Sequence, residues 1–163
     1  MTMANIHASC VVLAAAARMF RAPADAGVLL LGDSGAGKSS SALRLMARGA
    51  VLVADDRVDI FMRDGHLVAC PPARLAGLIE VRGLGIIRQP HAKEARIALA
   101  VQLSPDAPRM PEPLAFAPPA GLADAKPVPL LVLAAGEAAL AEKIVLAAAA
   151  FSGALFRHES NPN

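Results

Sequence analysis

The 163-residue chain is long enough to bury a core of its own. It is 55% hydrophobic but only 3% aromatic, with neither Trp nor Tyr, so that core must come from Leu, Val, Ile and Ala. Sixteen basic residues against fourteen acidic ones give a formal net charge of +2. This is too even for a nucleic-acid or membrane surface, and the aromatic platforms of a base-stacking module are missing.

Cys10 and Cys70 form no metal-ligand spacing and read as two reduced cysteines. The apolar run Ala8–Ala17 ends at Arg18, short of the ~20 residues of a spanning helix. Glu137, Glu142 and Lys143 interrupt the run Val128–Ala150. Nothing basic precedes the first apolar run, so no signal peptide is expected, and the protein is expected in the cytoplasm.

In chain order, Val11–Ala15 reads as a short strand or buried segment, and Arg18–Ala26 as a loop around Pro23. Gly27–Leu31 is continuously apolar, as in a strand covered on both faces. A helix is predicted from Lys38 to about Ala47, with Leu43, Met46 and Ala47 on its apolar stripe and Gly49 as its stop. Val51–Ala54 is a second buried strand. Val58–Cys70 has the pattern of a hairpin turning at Asp64-Gly65. Arg96–Leu103 alternates Ile97, Leu99, Val101 and Leu103, as in a half-buried strand. The Pro-rich stretch Ser104–Pro129 reads as an irregular connection. A last strand at Leu130–Leu133 precedes a helix over Glu137–Phe151, whose apolar face carries Leu140, Ile144, Ala147, Ala148 and Phe151. The chain is thus expected to be one α/β domain over residues 1–156, with 157–163 a frayed tail.

Between the first buried strand and the first helix lies Gly32-Asp33-Ser34-Gly35-Ala36-Gly37-Lys38-Ser39, a complete Walker A loop. Its glycines let the backbone turn sharply and aim N–H groups inward, and the helix start adds positive potential for phosphate oxygens. Lys38 can reach the β- and γ-phosphates, and the Ser39 hydroxyl is placed for Mg²⁺. Asp55-Asp56 ends the next strand, like a Walker B segment. Asp55 suits the metal shell and Asp56 the base, and the sequence leaves the reverse assignment open. Glu80-Val81-Arg82-Gly83-Leu84-Gly85-Ile86 would put Glu80 and Arg82 on one face of an extended segment, which by itself reads either as an exposed ion-paired strand end or as one residue adding to a metal site and the other to phosphate charge.

Three blocks together resemble the catalytic domain of bacterial HPr kinase/phosphorylase: GDSGAGKS at 32–39, LVADDRVDI at 52–60 and EVRGLGI at 80–86. The resemblance runs over about residues 6–150. It implies an α/β P-loop kinase fold of the HPr kinase/PEP carboxykinase-like type, a mixed sheet with flanking helices. It further implies a cytoplasmic, ATP- and Mg²⁺-dependent kinase that phosphorylates a serine of HPr or a related phosphocarrier, with phosphorolysis as the family's reverse reaction. The members are homo-oligomers, often hexamers. Carried over by position, Lys38 contacts phosphate, Ser39 and Glu80 bind metal with Asp55 nearby, and Asp56 accepts the proton. Arg82 lies in the signature. Ile6-His7-Ala8 resembles the family's IHG, so His7 matches an active-site histidine. A downstream catalytic arginine falls near Arg109-Met110-Pro111, with Arg96 the weaker candidate.

The chain departs from the family in several places. It looks like a short form without the separate N-terminal domain. The stretch at Arg18–Ala26 is longer, and Ser40 stands where an acidic residue is usual. The arginine-bearing loop tied to dephosphorylation is replaced by Val128–Gly136, so the expectation is stated for the forward kinase reaction. Two other readings stay open: a small-molecule P-loop kinase or ATPase, and a non-catalytic nucleotide sensor.

Overall fold

The apolar runs of this sequence pair into one large curled sheet. The structure, a computed structural model, describes residues 1–153; the expected tail at 157–163 lies outside them. Eleven strands are present among the described residues: β1 (Met3–His7), β2 (Ser9–Val12), β3 (Ala26–Leu31), β4 (Val51–Ala54), β5 (Arg57–Arg63), β6 (His66–Cys70), β7 (Leu78–Val81), β8 (Gly85–Arg88), β9 (Ala95–Leu103), β10 (Leu114–Ala115) and β11 (Pro129–Leu133). Two α-helices, α1 (Lys38–Met46) and α2 (Leu140–Phe151), join them, with a 3-10 turn over Ala14–Met19. The main sheet runs β1-β5-β6-β9-β3-β2-β4. β11 lies parallel to the end of β9 and carries the short β10. β7 and β8 form a separate two-stranded hairpin.

β3 and β9 pair in parallel at the centre, which puts both faces under cover. Successive residues of β3 therefore serve two clusters. Val28 and Leu30 face one with Leu45, Leu99, Val101 and Ile144, roofed by α1 and α2. Leu29 faces the other with Cys10, Val53, Ile60 and Leu67, where the curl of the sheet brings β5 and β6 over it.

Three expectations shift in detail. The stripe of α1 is rotated: Ala42 and Leu45 are buried, whereas Leu43 is 41% exposed. Ala42 and Leu45 join the cluster of Val28, Leu30, Leu52 and Ile144, a partner the short pattern did not reveal. Along β9, Ile97 and Leu99 do not share a face. The register skips Ala98 opposite the Gly27/Val28 step, and this bulge sends Ile97 into the second cluster. Gly27 makes the close pairing possible, since a Cβ there would lie 2.6 Å from the Arg96 carbonyl oxygen. α2 starts at Leu140 rather than Glu137; its buried face adds Ala141, Val145 and Ala149, while Phe151 is 36% exposed.

Candidate active site

The phosphate loop leaves the C-terminal end of β3 and enters α1 directly. Gly37 caps that helix with φ 98°, a conformation that favours glycine, and a Cβ there would sit 3.0 Å from the Ala135 Cβ. The first N–H groups of α1 lack intrahelical acceptors and, with the helix dipole, give the loop an anion-binding end. Lys38 is buried, and its Nζ donates to the Gly32 and Asp33 carbonyl oxygens at 2.7 and 2.8 Å. The ammonium is thus held inside its own loop. A pocket of about 330 Å³ opens over it, lined by Ser34, Gly35, Gly37, Lys38, Ser39 and Ser40, and by His7, Asp56, Glu80 and Arg82 opposite.

The two adjacent aspartates are separated by a tight turn. Asp56 has φ 67°, and the Arg57 N–H donates to the Asp55 carbonyl oxygen at 2.8 Å. Asp is among the residues that tolerate this left-handed conformation. Asp55 points inward and is 3% exposed. Its Oδ1 accepts the Ser9 and Ser39 hydroxyls, each at 2.7 Å, and its Oδ2 accepts the Glu80 N–H at 3.1 Å. The side chain of Asp56 points outward and is 64% exposed. His7 Nδ1 donates to the Asp56 carbonyl oxygen at 3.0 Å and lies 3.4 Å from its Oδ1. The His7 Nε2 is buried without a partner among the described residues.

Glu80 sits on β7, and Arg82 in the turn before β8. Arg82 is therefore not on an extended strand with Glu80, yet both line the pocket. Beyond them Leu84 and Ile86 are 75% and 71% exposed. Arg109 is exposed in the segment after β9 and does not line the pocket; Arg96 lines a different cavity, of about 260 Å³, with His66 and Lys126. Sequence reasoning missed Ser9. Its one available signal was a hydroxyl inside the apolar run Ala8–Ala17.

The donor set suits a hard cation held mainly by phosphate and water. Ser39 gives its proton to Asp55, which leaves the hydroxyl's lone pairs free for a cation. Glu80 and Asp56 border the same space. No group of three or more His, Cys, Asp or Glu side chains forms a dedicated cage among the described residues. Mg²⁺ keeps several waters and takes one or two protein ligands plus substrate phosphates, so the residues fit it.

A family model described as the HPr serine kinase C-terminal domain matches residues 22–105. Among curated proteins, the HPr kinase/phosphorylase of Lacticaseibacillus casei is 55% identical over 62 residues, 37% of this chain and 19% of that protein. That of Enterococcus faecalis is 56% identical over 62 residues, 37% and 20% of the two. That of Clostridium tetani is 53% identical over 64 residues, 39% and 21%. The chain thus matches only about a fifth of the length of these relatives. No helix among the described residues is long and apolar enough to cross a membrane. The solved Hpr(Ser) kinase/phosphatase from Coxiella burnetii superposes with a TM-score of 0.69 at 24% identity, over 88% of both chains, a likeness of fold. With the family model spanning just over half of the residues, the chain belongs to the HPr serine kinase C-terminal domain family.

Proposed function

We propose that this protein is an ATP- and Mg²⁺-dependent kinase that phosphorylates a serine of HPr or a related phosphocarrier protein. The observation that carries the reading is the split of the aspartate pair: Asp55 is consumed by internal hydrogen bonds, while Asp56 stands open in the pocket facing the phosphate loop. Binding a polyanionic nucleotide requires no second carboxylate there, whereas phosphotransfer requires a group that takes the acceptor's proton. The Asp56 carboxylate takes the proton of the acceptor hydroxyl. The hydroxyl oxygen forms its bond to the γ-phosphorus as the bond to the bridging oxygen breaks, and ADP leaves. His7 steadies Asp56 through its carbonyl. Lys38 and the amides at the start of α1 hold the phosphates. Ser39, with Glu80 across the pocket, holds Mg²⁺, which when bound offsets phosphate charge.

The proposed acceptor is a protein rather than a metabolite because of the hairpin tip. Leu84, in the turn, and Ile86, just after it on β8, are exposed at the end of the hairpin that contributes Glu80 and Arg82 to the pocket, and a small acceptor would leave them in water. Arg82, in that turn, faces the transferring phosphate. Arg109 joins the site only if its segment moves on ligand binding. On the same reading the protein works in the cytoplasm as a homo-oligomer.

The test is transfer of labelled γ-phosphate from ATP, with Mg²⁺, to a purified HPr-like phosphocarrier. Transfer to serine is expected. Asp56→Asn, which keeps the left-handed turn, should cost about 10²–10⁴-fold in turnover with ADP binding little changed. Bound ATP without transfer to any phosphocarrier would sink the kinase reading in favour of a sensor, and transfer to a metabolite alone would point to a small-molecule kinase.

A further inference from the structure

Ser9 is a polar residue with no exposed surface, in a strand otherwise built of apolar side chains. Its hydroxyl donates to Asp55 Oδ1 at 2.7 Å, the same oxygen that accepts the Ser39 hydroxyl at 2.7 Å. A carboxylate oxygen has about two lone-pair sites, so Oδ1 is filled. Oδ2 already takes the Glu80 N–H. Ser9 lies on β2, Ser39 on α1, Asp55 after β4 and Glu80 on β7, so one carboxylate ties four separate parts of the chain.

We infer that Ser9 is a positioning residue for the cation site, acting through Asp55 on Ser39. With Ser9 in place, Asp55 is a fixed acceptor turned away from the pocket. It holds the Ser39 proton so that the lone pairs of that hydroxyl face the phosphates, and its influence on a cation passes through Ser39 rather than through a direct bond. Without Ser9, one lone pair of a buried carboxylate loses its donor, and such a group seeks another. The carboxylate then turns, and Ser39 loses its fixed orientation. The inference rests on the proposed Mg²⁺-nucleotide reading of the site.

The experiment is calorimetric binding of ADP to the full chain, with and without Mg²⁺, for wild type, Ser9→Ala, Ser39→Ala and the double variant. Ser9→Ala removes one oxygen and opens little space, so a folded protein is expected. Its Mg²⁺-dependent gain in ADP affinity should fall about tenfold, the worth of one hydrogen bond to a charged group, with metal-free ADP binding unchanged. The double variant should lose little more than Ser39→Ala alone, because both act on one hydroxyl. A Ser9→Ala protein with the full Mg²⁺ gain overturns the inference. So do additive losses, or an equal fall with and without Mg²⁺. A wild type with no Mg²⁺ gain at all overturns the underlying reading as well.

Discussion

Arg44 on α1 reaches across to the segment that leads into α2. Its Nη1 donates to the Ala135 carbonyl oxygen at 3.1 Å, and its Nη2 to those of Glu137 and Ala138, each at 2.7 Å. Arg44→Met keeps the aliphatic stem and removes all three donors. The Ala138 bond is exposed, so water replaces it with little loss. The other two are partly buried. At the low end for hydrogen bonds involving a charged group, about 1.5 kcal/mol each, they sum to about 3 kcal/mol. A domain of this size loses about 2–4 °C per kcal/mol, so the midpoint should fall by about 6–12 °C in scanning calorimetry. Arg44→Lys gathers its donors on one nitrogen and cannot span the carbonyls that Arg44 reaches from Nη1 and Nη2, so it should recover less than half of the loss. The acceptors are neutral, so added salt should change the difference little. A midpoint within about 2 °C of wild type would refute the view that this fork joins the two helices.

Further expectations follow from other positions. Gly77 has φ 76°, and a Cβ there would meet the Gln89 carbonyl oxygen at 2.8 Å and His91 Nδ1 at 2.9 Å, while Gly83 has open space around it. Gly77→Ala should therefore destabilise by about 1–3 kcal/mol more than Gly83→Ala in urea titration; equal losses would contradict the contact argument. Leu84→Asp combined with Ile86→Asp should raise KM for a protein acceptor about tenfold and leave ADP binding within about twofold. An unchanged KM would remove the hairpin tip from acceptor binding. Burial pushes the Cys10 thiol up to about 12, and burial also raises Cys70, which is only partly covered. Iodoacetamide at neutral pH should label Cys70 first, and Cys10 only on unfolding; equal rates would contradict the burial. Because the folded pKa of Cys10 is raised, its stabilising share is full below the ordinary value of 9.0 and is lost as pH climbs toward about 12. Cys10→Ala should flatten the urea midpoint over that range.

The phosphate loop, the strands on either side of it and the Asp64-Gly65 hairpin were legible because each is a local pattern: a continuous apolar run, a fixed glycine spacing, a turn dipeptide. The position of Glu80 and Arg82 beside the loop was legible only through the resemblance of three blocks. What local pattern could not give was the partner of each face. Leu43 and Leu45 look equivalent in sequence, and only the packing of α1 against the sheet and α2 decides that Leu45 is covered. The bulge at Ala98 depends on how β9 meets Gly27, a contact seventy positions away. Ser9 was hidden for the same reason, since its meaning comes from Asp55, forty-six residues later. β1 was missed because its outward positions are polar or exposed and, among the described residues, it pairs with β5 alone.

The parallel pairing of β3 with β9 also has a consequence for how the protein is born. The strand that launches the phosphate loop is complete at Leu31, yet one of its two neighbours spans Ala95–Leu103. During synthesis the loop therefore emerges well before the strand that pins its root. Long-range closure of this kind is slow, because the entropy of a large chain loop must be overcome before the contact forms. A nascent chain that stops short of β9 carries the whole glycine motif but lacks the strand against which it is held. On the proposed nucleotide-binding reading, protection of the loop is expected only in a nearly finished molecule, and a protease pulse on ribosome-bound chains of increasing length, with ADP present, should register it as a late step.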